Sequence, residues 1–294
     1  MSTIAVFGLG GFLGAPVLEA LQSSTFAAKV NFPILAITRD DSKYKSTEKV
    51  KYIKADTVKD ADHLIKELSG VDAILELLGP DPEVFAATEK IAAAVKPKVY
   101  VPSQFGVDVD QSQEIFPGFL GLKLDHSQKL RSAGVKVVDI PTGLFGTKDS
   151  FVEHIAPLVG ADAEKKQVTY LGSPKNEFSY SILSDIGNVV AAVATTDPSK
   201  LSDKLRVHSG SISQEEIVAK YASAKSIKLD AKEVSQEDAL AEAKKVWSEG
   251  FNPEKFIYYL QAIISQGKEK GLWFTKDDNE VVNPGQSAWK WTTI

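Results

Sequence analysis

Three glycines, Gly8, Gly11 and Gly14, stand where the run Ile4-Ala5-Val6-Phe7 gives way to an apolar helical pattern. Their type and spacing suit the binding of a diphosphate. Without a Cβ, Gly8 can take a tight positive-φ turn, Gly11 can let a pyrophosphate approach the backbone, and Gly14 can let the helix pack on the strand. The first turn of that helix then offers unpaired N–H groups to the phosphates. Gly8 and Gly10 also form the G-x-G of the other dinucleotide fingerprint, so the glycines alone do not choose between the two. Phe12 and Leu13, within the turn, and Gly79, after a later apolar run, complete this set of candidate cofactor contacts.

A second chemical position closes the run Ala36-Ile37-Thr38-Arg39. An acidic residue there would bond the ribose 2′-OH of NAD, and a basic one would accept the 2′-phosphate of NADP. Arg39 offers a fork of donors and Lys43 lies one turn further on, which favours NADPH as the cofactor. Asp40 and Asp41 compete for the same charges. Asp56 either sits near the adenine edge or caps a helix beginning near Asp60.

The elements that must position these residues follow from periodicity. Short apolar runs at residues 4–7, 34–38, 50–54, 73–78, 99–102 and 135–140 alternate with helical patterns such as Val84, Thr88, Ile91, Ala92 and Val95. That alternation predicts six parallel strands: an α/β, Rossmann-type parallel sheet flanked by helices, over residues 1–150. Residues 25–33 read as a surface insertion before the second strand. Residues 151–294 read as a mixed segment that finishes the sheet and forms a smaller C-terminal substrate lobe, with strands at 168–171 and 205–208 and a helix at 182–195. Aromatics such as Trp247, Phe251 and Tyr259 fill the core of that lobe.

Composition narrows the partners. With 43% hydrophobic and 25% charged residues among 294, the chain reads as globular. Its net charge of −5 comes without a basic stripe, which argues against a nucleic-acid partner. The absence of cysteine excludes disulfides, thiolate nucleophiles, Fe–S clusters and Cys-ligated zinc, and fits a reducing, cytoplasmic setting. The first strand starts at the N-terminus and no apolar run reaches the ~20 residues of a membrane span, so neither a signal peptide nor a membrane is expected. A small-molecule substrate is the expected partner, with the chain a monomer or homodimer. His63, His126, His154 and His208 show no H-x-x-x-H spacing and read as surface or helix-cap residues, with no metal. Neither a G-x-S-x-G elbow nor a P-loop is present, which argues against a hydrolase or nucleotidase.

The run Val101-Pro102-Ser103-Gln104-Phe105-Gly106, with Lys123 eleven residues before Gly134, carries a resemblance. Here the chain resembles the NmrA-like and isoflavone reductase-like branch of the atypical short-chain dehydrogenase/reductases. Plant members have a phrase like FPSEFG at this strand end, an active-site lysine at that distance from a helix-closing glycine, and an Asn-x-Phe element after strand six. This chain has Gly143-Leu144-Phe145 at the last place, and Ser184-Asp185-Ile186-Gly187 looks like a recurring Asp-Ile-Gly element of the family.

The resemblance implies an NADPH-dependent oxidoreductase that reduces a small, hydrophobic carbonyl or enone compound by hydride transfer. Lys123 would be catalytic, and Ser103, Gln104, Lys123 and Phe145 would join the cofactor contacts. Such a lysine can hydrogen-bond the nicotinamide ribose and supply positive potential or a proton where oxygen charge develops. An NmrA-type redox sensor, binding NADP without turnover, is the alternative implication. Phe119 stands where the Tyr-x-x-x-Lys pair of ordinary short-chain dehydrogenases needs its tyrosine, and Gln104 replaces the family's glutamate, so no general acid is identified. Tyr221 and Lys225 repeat the spacing by chance, on a C-terminal helix.

Overall fold

β1 (Ser2–Phe7), whose last four residues are fully buried, lies at the middle of a parallel sheet. On one side stand β2 (Val30–Thr38) and β3 (Val50–Lys54), on the other β4 (Ala73–Glu76) and β5 (Val99–Val101), in the order β3-β2-β1-β4-β5. The computed structural model, which describes residues 1–294, thus has the Rossmann-type sheet that the alternating runs predict. Helices α1 (Gly14–Gln22), α2 (Ala61–Glu67), α3 (Pro82–Val95), α4 (Val109–Ser112) and α5 (Gly121–Ser132) belong to this half. α3 begins where it does because the Asp81 carboxylate accepts from the N–H groups of Glu83 and Val84, with Pro82 pre-set for the first turn. Strand order reverses between β1 and β4, so their carboxyl ends part into a crevice, the place where open α/β sheets bind ligands.

Three expectations about strands need correction. β2 begins at Val30, pairing Ser2 with Val30 and Thr3 with Asn31 before the register jumps to Ala5 and Leu35. Pro33, which has no N–H for the ladder, falls in that jump, so it interrupts the strand without ending it. Residues 30–33 are therefore strand and not insertion. Residues 135–140 form only isolated bridges, Val137 to Tyr100 and Asp139 to Lys204. Residues 205–208 likewise attach by single bonds, from Leu205 N–H to the Asp139 carbonyl and from Val207 N–H to that of Pro141. Pro102 and Pro141, having no donor of their own, break the ladders that would make these runs full strands.

The second half carries β6 (Leu144–Gly146), α6 (Phe151–Leu158), β7 (Ala161–Asp162), β8 (Gln167–Leu171), β9 (Glu177–Ile182), α7 (Leu183–Thr195), β10 (Gly210–Ser213) and α8 (Gln214–Lys225). β11 (Asp230–Val234), α9 (Gln236–Ser248), α10 (Phe256–Ser265) and α11 (Asn279–Val282) complete it. Two small sheets result, β10-β9-β6 and β11-β8-β7. α7 packs back on the first sheet's layer: a Cβ at Gly187 would stand 2.3 Å from the Pro16 carbonyl oxygen, so α1 and α7 meet backbone to backbone. Two residues earlier, Asp185 accepts from Ser209 Oγ at 2.6 Å and from the Thr292 N–H at 2.8 Å, fastening the C-terminal segment. Burial raises the Asp185 pKa against those hydrogen bonds. The Asp-Ile-Gly element is thus a packing device. The chain also interleaves, since Val107, Ile115, Phe116 and Phe119 belong to the core of the C-terminal lobe while α7 belongs to that of the sheet.

Candidate functional site

At the carboxyl ends of β1, β2 and β4 lies a crevice of about 690 Å³. Gly8, Gly10, Gly11, Arg39 and Gly79 line it, as the spacing predicts for a nucleotide. Gly8 has φ +85° and turns the chain off β1 into contact with the backbone of Leu77, where a Cβ would stand 2.8 Å from the carbonyl oxygen. The Gly11 N–H returns to the Gly8 carbonyl at 2.9 Å and closes the turn. At Gly14 a Cβ would lie 1.7 Å from the Leu9 carbonyl oxygen, which makes glycine obligatory where the helix leaves the strand. The N–H groups of Gly10, Phe12 and Leu13 donate to no protein acceptor, and so stay available to an anion.

Arg39 lines the crevice without an ion pair, while its charge helps to lower the Asp56 pKa after the backbone hydrogen bonds from Lys59 and Val58. Asp56 lines the crevice too and shapes the turn that enters α2, accepting from the N–H groups of Val58 and Lys59. Lys43 behaves differently. It lies 3.7 Å from the Asp40 carboxylate on the surface and does not line the crevice. Tyr44, one residue on, does: a Cβ at Gly10 would stand 2.2 Å from its hydroxyl, and its ring stacks on Tyr52 at 4.8 Å. A lone aromatic in a polar run gives no periodic signal, so Tyr44 was not legible as a site residue.

Phe12, Leu13, Ser103, Gln104, Lys123 and Phe145 lie outside that crevice. Phe12 is 61% exposed and faces Phe145, with ring centroids 6.3 Å apart, so the glycine turn and β6 are joined by an aromatic pair. Gly143, in place of the family's asparagine, has φ +69°, and a Cβ there would stand 2.1 Å from the Ser179 carbonyl oxygen; contact with β9 demands glycine. The Leu13 side chain is core. Gln104 is buried, and its Nε2 donates to the Lys123 carbonyl at 2.6 Å and to Ser127 Oγ at 3.0 Å. It therefore points at the backbone of α5.

Lys123 itself is half-buried near the start of α5, with no ion pair. Burial lowers its pKa to about 8, against the charge of Glu76, which raises it. Leu120 has φ +52° and α5 begins only at Gly121, so Phe119 is outside the helix. It is fully buried among Phe116, Trp247 and Tyr259, far from a tyrosine's role beside Lys123. On α8, Lys225 pairs with Glu153 at 2.7 Å and stands over the Tyr221 ring, a structural arrangement.

The reading of all four histidines as surface or cap residues fails for two. His126 is 1% exposed, between Glu76 and Glu89. His208 is half-buried near Asp277, with neither ring nitrogen hydrogen-bonded. A histidine three residues after Lys123 among charged neighbours reads as a helix surface; only the buried Glu76 across the fold reveals otherwise. No cluster of three or more His, Cys, Asp or Glu side chains could hold a metal, and no helix is long and apolar enough to cross a membrane.

Comparison with known proteins agrees with this fold. The model of the NmrA-like family matches residues 1–261. A phenylcoumaran benzylic ether reductase, Pyrc5, of Pyrus communis is 27% identical over 237 residues, 74% of this chain and 73% of that protein. An isoflavone reductase homolog, A622, of Nicotiana tabacum is 25% identical over 259 residues, 81% of this chain and 79% of its own length. Among solved structures, isoflavone reductase superposes with a TM-score of 0.67 at 21% identity, covering 88% of this chain and 86% of that one. The NADPH-dependent quinone oxidoreductase QOR2 of Escherichia coli, solved with NADPH, gives 0.67 at 18% identity over 99% and 96%. With a glycine turn, a basic end to β2 and a lysine-bearing α5 on one continuous match, the chain belongs to the NmrA-like family.

Proposed function

We propose that the chain is an NADPH-dependent oxidoreductase reducing a small, hydrophobic carbonyl or enone compound. Lys123 carries this reading: an unpaired, half-buried ammonium whose pKa of about 8 suits proton donation near neutral pH. Relatives described as phenylcoumaran benzylic ether reductase and isoflavone reductase homolog, and a fold neighbour solved with NADPH, support the reaction class. The crevice fits the cofactor. Free N–H groups at Gly10, Phe12 and Leu13 suit its diphosphate, and Arg39, without an ion pair, suits a 2′-phosphate. Gly79 borders the same space. Bound there, NADPH would supply a hydride.

The protein's own part is then threefold. Phe12 and Phe145 offer an apolar wall beside the glycine turn, which favours a hydrophobic substrate and excludes water. Lys123 stabilises negative charge on the substrate oxygen and provides its proton. Gln104 holds the β5 end against α5, and with it the place of Lys123, and Ser103 beside it is kept for the cofactor. The test is a screen for NADPH consumption at 340 nm against quinones, enones and aldehydes, beside calorimetric titration of NADPH and NADH. Tight NADPH binding with no turnover in that screen would replace this reading with that of an NADP-binding regulator.

A further inference from the structure

One helical turn from Lys123 lies a cluster of buried charge that the roles above leave unused. Glu76, the last residue of β4, is fully buried, and its Oε2 lies 3.0 Å from His126 Nε2. Glu89 of α3 closes the other side, its Oε1 2.9 Å from His126 Nδ1. A carboxylate can only accept, so both ring nitrogens carry protons and His126 is an imidazolium. Phe85 stacks on that ring at 4.1 Å and Tyr100 stands edge-on at 6.1 Å, while Thr88 Oγ1 donates to Glu76 Oε1 at 3.1 Å.

Such a cluster is a poor device for stability alone, because apolar side chains of the same volume would serve as well or better. Its charge is also unbalanced, two carboxylates facing one imidazolium. Lys129, 3.8 Å from Glu89 Oε2, compensates on the solvent side. Glu76 is on the other side, and its charge reaches Lys123. His126 follows Lys123 by three positions and so shares a face of α5 with it.

We propose that Glu76 and His126 are positioning residues for Lys123: the carboxylate fixed at the end of β4 grips His126 and supplies a fixed negative charge to this face of α5, and His126, held by two carboxylates, fixes the turn of α5 that carries Lys123. This rests on the role given to Lys123 above. The titratable groups of the cluster besides Glu76 and His126 are Glu89 from α3, Tyr100 from β5 and Lys129 from α5, and of all these Glu76 is the one whose charge acts on Lys123. Burial first, and then the charge of Glu76, keeps the Tyr100 phenol neutral by raising its pKa. Glu76 is therefore the charge that opposes the effect of burial on Lys123.

The test reads Lys123 directly and needs no turnover. In the full chain, lysines methylated with ¹³C-formaldehyde are titrated by NMR, with the Lys123 signal identified by its loss in Lys123→Arg. Glu76→Gln is expected to lower the Lys123 midpoint by about 1 pH unit, the effect of removing a nearby opposite charge, and Glu76→Asp to restore most of it. His126→Gln, which strips Glu76 of its cation, is expected to raise it. An unchanged midpoint in a folded Glu76→Gln protein overturns the proposal. Should Glu76→Gln not fold, the side-chain ¹⁵N spectrum of the wild type decides: double protonation of His126 at neutral pH supports the proposal, and a neutral ring overturns it. A shifted midpoint in a protein without turnover would support this inference while removing the reductase reading.

Discussion

Gln104 Nε2 donates to the Lys123 carbonyl oxygen across 2.6 Å, tying the carboxyl end of β5 to the first turn of α5. Through the same nitrogen it reaches Ser127 Oγ, which in turn donates to Asp139 at 2.7 Å. The residue that replaces the family's glutamate thus acts on the helix that presents Lys123.

Gln104→Leu removes that tie and leaves Ser127 with one partner fewer in a buried place. The expected cost is about 1–3 kcal/mol in urea denaturation, with kcat lowered more than NADPH affinity. Unchanged stability and kcat would mean that the tie does not position Lys123.

Arg39→Ala should weaken NADPH binding by about 10-fold or more, the range for a lost charge-assisted hydrogen bond. NADH binding should barely change, since Arg39 has no anion to meet in that ligand. Lys43→Ala should matter much less, because Lys43 faces Asp40 on the surface. Calorimetry of the wild type and both variants with each cofactor checks this, and equal affinities for NADPH and NADH in the wild type would contradict it.

The glycines of the turn should separate folding from binding. A Cβ at Gly14 would press on the Leu9 carbonyl at 1.7 Å, so Gly14→Ala should destabilise the protein by about 1–3 kcal/mol or more. At Gly11 the nearest atom to a Cβ is the Gly8 oxygen at 3.2 Å, so Gly11→Val should fold yet lose the enhancement of NADPH fluorescence on binding. Retained enhancement in Gly11→Val would contradict the assignment of the turn to the diphosphate.

Periodicity and punctuation made the sheet legible, because each of its five strands is a short apolar run and β1 passes through glycine into a helix. Arg39 was legible for a local reason as well, lying one residue past the end of β2. Where a proline meets a ladder, local signals mislead. Pro33 reads as a breaker, yet the register jump absorbs it, and Pro141 hides among apolar residues, yet it ends its run. Tyr44, Glu76, Glu89 and His126 were not legible because their meaning lies in contacts between separate elements. Glu76 is one polar residue inside an apolar run, and only Thr88 of α3 and His126 of α5 show what it meets.

His126→Leu should be strongly destabilising, by about 3–5 kcal/mol, because it leaves Glu76 buried without its cation. Glu76→Leu combined with His126→Leu should recover much of that loss. Burial alone would lower the His126 pKa, but hydrogen bonds and charge from Glu76 and Glu89 outweigh it and raise the net value. Stability from a raised folded pKa is complete below the unfolded value of about 6.5 and is lost as pH rises through the folded one. The wild-type melting temperature should therefore fall toward alkaline pH, and this slope should be absent from the double variant. An identical slope in both would contradict the assignment.

The most direct measurement of the central claim is kcat for Lys123→Ala on a substrate that the wild type accepts, with NADPH affinity measured in parallel. A lysine that stabilises charge in the transition state contributes more to turnover than to ground-state binding. The expected result is a fall in kcat of at least ~10-fold with a smaller change in NADPH affinity; kcat unchanged on that substrate would contradict a catalytic Lys123.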